Sequence, residues 1–358
     1  MDDFKSGGVI VMKLWKIVFC ALLLVFVLCA EMPGSADAAE SYKLSLATYD
    51  PVTSGQTRKL QEWADRIREK SGGRVEITIF AGGSLASSTE ILDAVKTGAA
   101  DIGWIYTSFY PEQFPITDAL TLPLLGLKTT TQGTQVLWDL YQETQAFQAE
   151  LSANNIKMLM MYSNPRNFII TASKPVHTAD DLKGLKLRAP AGTATDMLVA
   201  WGGTPIMMGP GDVYQALEKG VLDGYVFEYN GIDNFKLQEV SKYYTEITFY
   251  VGPFLTLMNK GSFESLPADL QKIIEEESGR TMSMELAATF QADADAVRTK
   301  ILSGGGTAIE VTGDALAGFT KPAESYAQAW VDKHKSADFD AQAFLDKLKA
   351  LIAQYEGS

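Results

Sequence analysis

YKLSLATYDPVTSGQTRKLQEWADRIREKSGGRVEITIFAGGSLASSTEILDAVKTGAADIGWIY, residues Tyr42–Tyr106, decides the fold class. YKLSLAT alternates apolar and polar residues and ends near Pro51, as a half-buried strand does. Helical periodicity then runs from about Gly55 to Lys70 with Leu60, Trp63 and Ile67 on one face, and Ser71-Gly72-Gly73 stops it. VEITIF reads as a second strand, Gly82-Gly83 as a turn, roughly Ser88 to Gly98 as a second helix, and DIGWIY as a third strand. Strand, helix, strand, helix, strand is the grammar of a parallel sheet wrapped by helices. The grammar restarts after a helix near Thr130–Leu151, with strands around Ile156–Met161 and Asn167–Ala172, so a second α/β lobe is expected. Leu266-Pro267 opens a long helical pattern that continues to about Leu302, with Gly279 as the place where it would break. Asp314–Tyr326 and Ala341–Tyr355 read as further amphipathic helices.

The N-terminal segment 1–38 reads as a signal peptide. Lys13 and Lys16 precede an apolar run from Ile17 to Ala30, and Ala36-Asp37-Ala38 offers the small residues needed for cleavage after Ala38. The run is short for a bilayer span, and no later run is apolar enough for one, so stable membrane insertion is not expected. Both cysteines, Cys20 and Cys29, lie in this segment, so the exported chain is expected to have neither a disulfide nor a nucleophilic thiol. A formal net charge of −13 argues against nucleic acid and anionic membranes as partners.

Catalytic groups are scarce. Beyond the signal segment, His177 and His334 are the two histidines, far apart, one before a Thr-Ala-Asp-Asp helix start and one on a lysine-rich helix face. A histidine triad or zinc site would need partners that the sequence does not supply, and Gly82-Gly83-Ser84-Leu85-Ala86 lacks the last glycine of a nucleophile elbow. No phosphate loop occurs. Asp180-Asp181 at a helix N-terminus meets the helix dipole. The chain therefore reads as a non-enzyme with no cofactor and no metal.

Groups suited to binding are better represented. Tyr49 follows the first strand, Trp104 and Tyr106 lie in the third, and Arg166-Asn167-Phe168 opens a strand of the second lobe. Tyr225, Phe227, Glu228, Tyr229 and Asn230 follow Asp223-Gly224. Sheets of this type bind ligands beyond the carboxyl ends of their strands, and core packing is the competing role for each aromatic. Arg188 stands where a short strand around Leu185 and Leu187 runs into Ala189-Pro190. Pro190 cannot donate a ladder hydrogen bond, so the strand ends there and puts a guanidinium at its tip. That planar fork can grip both oxygens of a carboxylate, and a structural Asp or Glu is the alternative partner.

Five segments together resemble the solute-binding proteins of tripartite ATP-independent periplasmic (TRAP) transporters, the dicarboxylate-receptor type. They are SGGRVEITIFAGGSL, LDAVKTGAADIGW, LPLL, KPVHTADDLKGLKLRAP and GGTPIMMGPGDVYQALEKGVLDG, and the match covers nearly all of the chain after the signal segment. The resemblance implies an α/β, two-lobed periplasmic-binding-protein-like fold of type II character, with a hinge, a cleft that closes on ligand and a long helix spanning both lobes. Lobe I is expected to hold residues 39–165 with about 254–293, and lobe II residues 166–253 with about 294–358 and the C-terminal helices. Arg188 of KLRAP matches the family's carboxylate-binding arginine. A second arginine of the family falls at Phe168 by an ungapped count; Arg166, two residues earlier, either replaces it after a shift or points elsewhere, and Phe227 stands where relatives place an asparagine.

The implied pocket is Arg188, Arg166, Phe168, Phe227, Tyr49, Tyr106, Glu228 and Asn230. The implied function is a periplasmic receptor that captures an organic acid through its carboxylate and hands it to the membrane permease subunits of a TRAP transporter. Phe168 and Phe227 would favour an apolar or aromatic body. A receptor for an ATP-driven importer or for a signalling protein is the alternative, and a secreted enzyme a more distant one.

Overall fold

Eleven strands form two sheets in the computed structural model, which describes residues 40–356 apart from 111 and 154; the signal-peptide reading of residues 1–38, with its cleavage site, lies outside the described residues. In chain order the strands are β1 (Tyr42–Ala47), β2 (Val75–Phe80), β3 (Ile102–Tyr106), β4 (Ile156–Ser163), β5 (Asn167–Thr171), β6 (Lys186–Arg188), β7 (Thr204–Ile206), β8 (Gly224–Phe227), β9 (Tyr243–Tyr250), β10 (Pro253–Asn259) and β11 (Thr307–Ile309). The first sheet has the order β2-β1-β3-β10-β4 and the second β11-β9-β5-β8-β6-β7. From Lys43 onward both lie in one compact unit, Lys43–Ser358.

The opening stretch folds as its pattern dictates. Helix Gly55–Lys70 buries Leu60, Trp63 and Ile67, and Ser54 caps it by accepting from the Thr57 amide at 3.0 Å. β1 and β3 pair in parallel. The sheets are nevertheless mixed rather than parallel throughout, which corrects the expectation from the βαβ grammar. β10 runs antiparallel between β3 and β4, and β5 runs antiparallel to both β8 and β9. All seven residues of β10 are buried, as befits a central strand covered on both faces.

The chain crosses between the sheets at two neighbouring places, from β4 to β5 and from β9 to β10. These crossings are tied together. The Asn164 amide donates to the Gly252 carbonyl at 2.9 Å, and the Gly252 amide donates to Asn164 Oδ1 at 2.7 Å. A third link between the lobes is helix Gly279–Ser303, nearly 40 Å long at about 1.5 Å per residue. Its Ser283 Oγ accepts from the Met161 amide of β4 at 3.0 Å, and further along Ala294 and Ile301 join the core under the second sheet.

Two expectations for the C-terminal half change. The single long helix from Leu266 is two, Ala268–Glu276 and Gly279–Ser303, because Gly279 takes a left-handed φ of 71° that ends the first and starts the second. Helix Ala341–Gln354, grouped by the sequence reading with the second lobe, instead sends Phe344, Leu345, Leu348 and Ile352 into the core under the first sheet, beside Val136 and Leu140 of helix Thr130–Glu143. Among the described residues no helix is long and apolar enough to cross a membrane.

Candidate functional site

The carboxyl ends of strands from both sheets converge on one cleft. β1 delivers Tyr49 and Asp50, β3 delivers Trp104 and Tyr106, β6 delivers Arg188, and β8 delivers Val226, Phe227 and Glu228. Asn164 and Asn167 from the crossing, Phe109, Phe254 and Phe290 complete most of the wall.

Arg188 occupies the end of a three-residue strand held in parallel register on both sides, opposite Ile206 of β7 and Tyr225 of β8. Its side chain is 2 % exposed. Nε donates to the Met208 carbonyl at 3.1 Å and Nη1 to the Val226 carbonyl at 3.3 Å. Those two bonds fix the guanidinium plane and leave its remaining N–H groups for the cleft. Its centre lies 4.9 Å from the Phe227 ring and 6.0 Å from the Phe109 ring, within cation–π range. Among the described residues no carboxylate lies within 4.0 Å of it, so the structural ion pair weighed from the sequence is not formed. Burial pulls the guanidinium below its ordinary pKa, while Tyr250, Tyr49 and Glu228 pull the other way.

Two carboxyls share the cleft. Asp50 is 5 % exposed, and its Oδ2 accepts from Asn234 Nδ2 of the opposite lobe at 3.3 Å. Burial pushes it up to about 7, against a hydrogen bond from Ser54. Glu228 caps helix Tyr229–Asn234 by accepting from the Gly231 amide at 3.2 Å. Burial pushes it up to about 7 as well; Asp50 adds to that rise and Arg188 works against it. A second contact across the cleft joins Thr121 Oγ1 and Thr193 Oγ1 at 2.9 Å.

The rest of the wall is aromatic. Trp104 stacks on Phe254 at 4.6 Å, Tyr49 leans on Trp104 at 5.1 Å, and Tyr106 stacks on Phe254 at 4.8 Å. Trp104 is also core, donating through its indole to Tyr162 Oη at 2.5 Å. Gly231 and Gly252 make room for these rings. A Cβ at Gly231 would lie 1.9 Å from Phe227 Cε1, and one at Gly252 would lie 2.3 Å from Tyr106 Oη. The cavity between the walls is about 20 Å³, enough for about one water, so an organic molecule enters only when the lobes part. A wider recess of about 300 Å³ adjoins it through Tyr49 and Pro210.

Five of the eight residues expected from the sequence meet here: Arg188, Phe227, Tyr49, Tyr106 and Glu228. Three do not line the cavity. Phe168 packs into the second core against Tyr229 at 5.3 Å. Arg166 is exposed, 5.8 Å from the Phe168 ring, with its charge felt by Glu246. Asn230 turns to the long helix and donates to the Phe290 carbonyl at 3.2 Å. The residue between Arg166 and Phe168, Asn167, is the one that lines the cavity, because neighbouring strand residues point to opposite faces. Asp50 and Asn164 were also missed; nothing local marks them, and only the tertiary fold brings them in.

Two lobes, a hinge of paired crossings and a closed, arginine-bearing cleft define a solute receptor. Residues 46–333 match the family of bacterial extracellular solute-binding proteins, family 7 (DctP), and the chain belongs to that family. Its members are receptors rather than enzymes. The chain is 24% identical over 248 residues to the 2,3-diketo-L-gulonate-binding periplasmic protein YiaO of Escherichia coli K12, covering 68% of this chain and 74% of that protein. Among solved structures it is similar to a marine metagenome TRAP solute-binding protein specific for aromatic acid ligands, in complex with metahydroxyphenylacetate. That likeness has 26% identity and a TM-score of 0.82, and covers 88% of this chain and 100% of that one. A TRAP solute-binding protein from Rhodoferax ferrireducens T118 with copurified benzoate gives 27% identity and a TM-score of 0.80, with 88% and 99% covered.

Proposed function

We propose that this chain is the periplasmic receptor of a TRAP transporter, taking up an organic acid with an aromatic body by its carboxylate and delivering it to the membrane permease subunits. The observation that carries this reading is Arg188: a buried guanidinium fixed by two carbonyls, with aromatic rings on its flanks and, among the described residues, no carboxylate within 4.0 Å. In water such a fork is hydrated; in the closed cleft a ligand carboxylate replaces that water with charge-assisted hydrogen bonds in a medium of lower dielectric. The stacked Trp104, Phe254 and Tyr106 supply flat apolar faces for a ring. Relatives that hold metahydroxyphenylacetate and benzoate support an aromatic acid. Arg188, Phe227, Tyr49, Tyr106 and Glu228 form the site, joined by Asp50, Asn164 and Asn167. Arg166, Phe168 and Asn230 act behind it. Lobe I comprises the first sheet with residues 39–165 and about 254–293, lobe II the second sheet, and export follows cleavage after Ala38.

A thermal-shift screen with aryl and aliphatic acids side by side tests this reading. A ligand at a hundred times its Kd stabilises the native state by about 2.7 kcal/mol, a shift of several degrees. Aryl carboxylates are expected to raise the melting point, and their neutral amides are not. Equal shifts from acid and amide refute the carboxylate grip.

A further inference from the structure

The cleft holds one guanidinium and two carboxyls, and an anionic ligand alone leaves that charge set unbalanced. Arg188 with a ligand carboxylate forms a neutral pair, after which Asp50 and Glu228 share the same buried space, with no further cation lining it among the described residues. Asp50 comes from the first lobe, at the end of β1, and Glu228 from the second, so closure brings the two together. Their internal partners are all neutral: Asn234 and Ser54 for Asp50, and the Gly231 amide with its own amide for Glu228. A carboxylate has about four acceptor positions, and buried ones are costly when unfilled. Burial of both pushes them up to about 7, the mark of carboxyls that lack a donor or cation strong enough to hold them ionised.

Resting on the carboxylate reading above, we infer that the ligand is gripped at two poles, its carboxylate by Arg188 and a second, hydrogen-bond-donating group by Asp50 and Glu228. The ligand class is an aryl acid that carries a hydroxyl or an ammonium away from its carboxylate. Tyr49, Trp104 and Phe254 line the same cavity as these charged groups and offer the face that takes the ring. The donor group also closes the receptor, because it bridges an acid from each lobe. This gives the closed form a preference for substituted over plain aryl acids.

Calorimetry on the wild-type chain with benzoate, 3-hydroxybenzoate, 4-hydroxybenzoate and 4-(aminomethyl)benzoate tests the inference, repeated on Asp50→Asn, Glu228→Gln and Arg188→Lys. At least one donor-bearing acid is expected to bind tenfold or more tightly than benzoate, since a hydrogen bond to a charged group is worth about that factor or more. In Asp50→Asn or Glu228→Gln that ratio is expected to fall below threefold, a change that loss of fold alone does not produce because benzoate is measured on the same sample. A gain with the hydroxyl acids assigns a neutral donor, and a gain with the aminomethyl acid alone assigns a cationic one. Benzoate binding as tightly as every donor-bearing acid, or a ratio that survives both carboxyl substitutions, overturns the second pole while leaving the first intact. Benzoate affinity indifferent to Arg188→Lys, or no binding of any of the four acids to the wild type, removes the carboxylate reading and this inference with it.

Discussion

Arg188→Lys isolates the planar fork from the charge. In the native cleft Nε and Nη1 are anchored to the carbonyls of Met208 and Val226, which leaves N–H groups on Nη1 and Nη2 for a ligand carboxylate. Lysine keeps a cation but has no fixed plane: its three donors turn about one nitrogen, so a lysine that satisfies the carbonyls gives up the bidentate grip. Truncating one member of a buried charged pair costs about 2–5 kcal/mol. The lysine retains part of the Coulomb attraction, so the lower end applies, about 2 kcal/mol, or roughly thirtyfold in Kd. Arg188→Ala loses the charge as well and belongs at the upper end, although it also strips both carbonyls of their donor and so destabilises the second lobe. The assay is calorimetric titration of an aryl acid into wild type and Arg188→Lys, with melting curves to verify folding. A Kd for Arg188→Lys within threefold of wild type refutes the reasoning, since it leaves the fork with no share in affinity.

Gly231→Ala places a methyl where the Phe227 ring lies, and Phe227 is one wall of the cleft; overpacking of this kind costs about 1–3 kcal/mol, so the melting point falls and aryl-acid affinity drops tenfold or more, both read in one thermal-shift titration. Asn234→Ala removes the donor that ties the second lobe to Asp50, so the ligand-free protein spends more time open; small-angle scattering without ligand is expected to give a larger radius of gyration, and an unchanged value counts against the latch. Burial holds Asp50, Glu150 and Glu228 up at about 7 and Asp118 at about 8, against ordinary values near 4 in the unfolded chain. Between about pH 4 and pH 8 the folded chain therefore binds more protons than the unfolded one, and stability falls as pH rises through that window. The melting point is expected to be higher at pH 5 than at pH 8, and Asp118→Asn, which removes the charge beside a buried Oδ1 without a hydrogen-bond partner, is expected to flatten that slope.

What the sequence disclosed follows the range over which its signals act. The β1 to β3 stretch was legible because each element buries a face against its chain neighbours, so the periodicities of 2 and 3.6 are written locally. Arg188 was legible for a similar reason: Pro190 ends β6 just beyond it, and parallel strands open at their carboxyl ends. β10 was not. Its residues PFLTLMN are buried on both faces, so no alternation marks them, and its partners β3 and β4 lie about a hundred or more residues earlier. Arg166 and Phe168, the alternatives for the second arginine's place, share one parity along the chain, and the residue of opposite parity, Asn167, lines the cleft, a distinction that only strand direction makes. Asp50 carries no local sign of its role, since its counterparts Asn234 and Glu228 come from the other lobe.

The most direct test of the central claim is a crystal structure of the protein with an aryl acid bound. The expected result is a closed cleft with both carboxylate oxygens about 2.7–2.9 Å from Arg188 nitrogens and the ring among Tyr49, Trp104 and Phe254. An acid seated in the outer recess beside Asp212 and Phe235, with Arg188 turned onto Glu228, contradicts it.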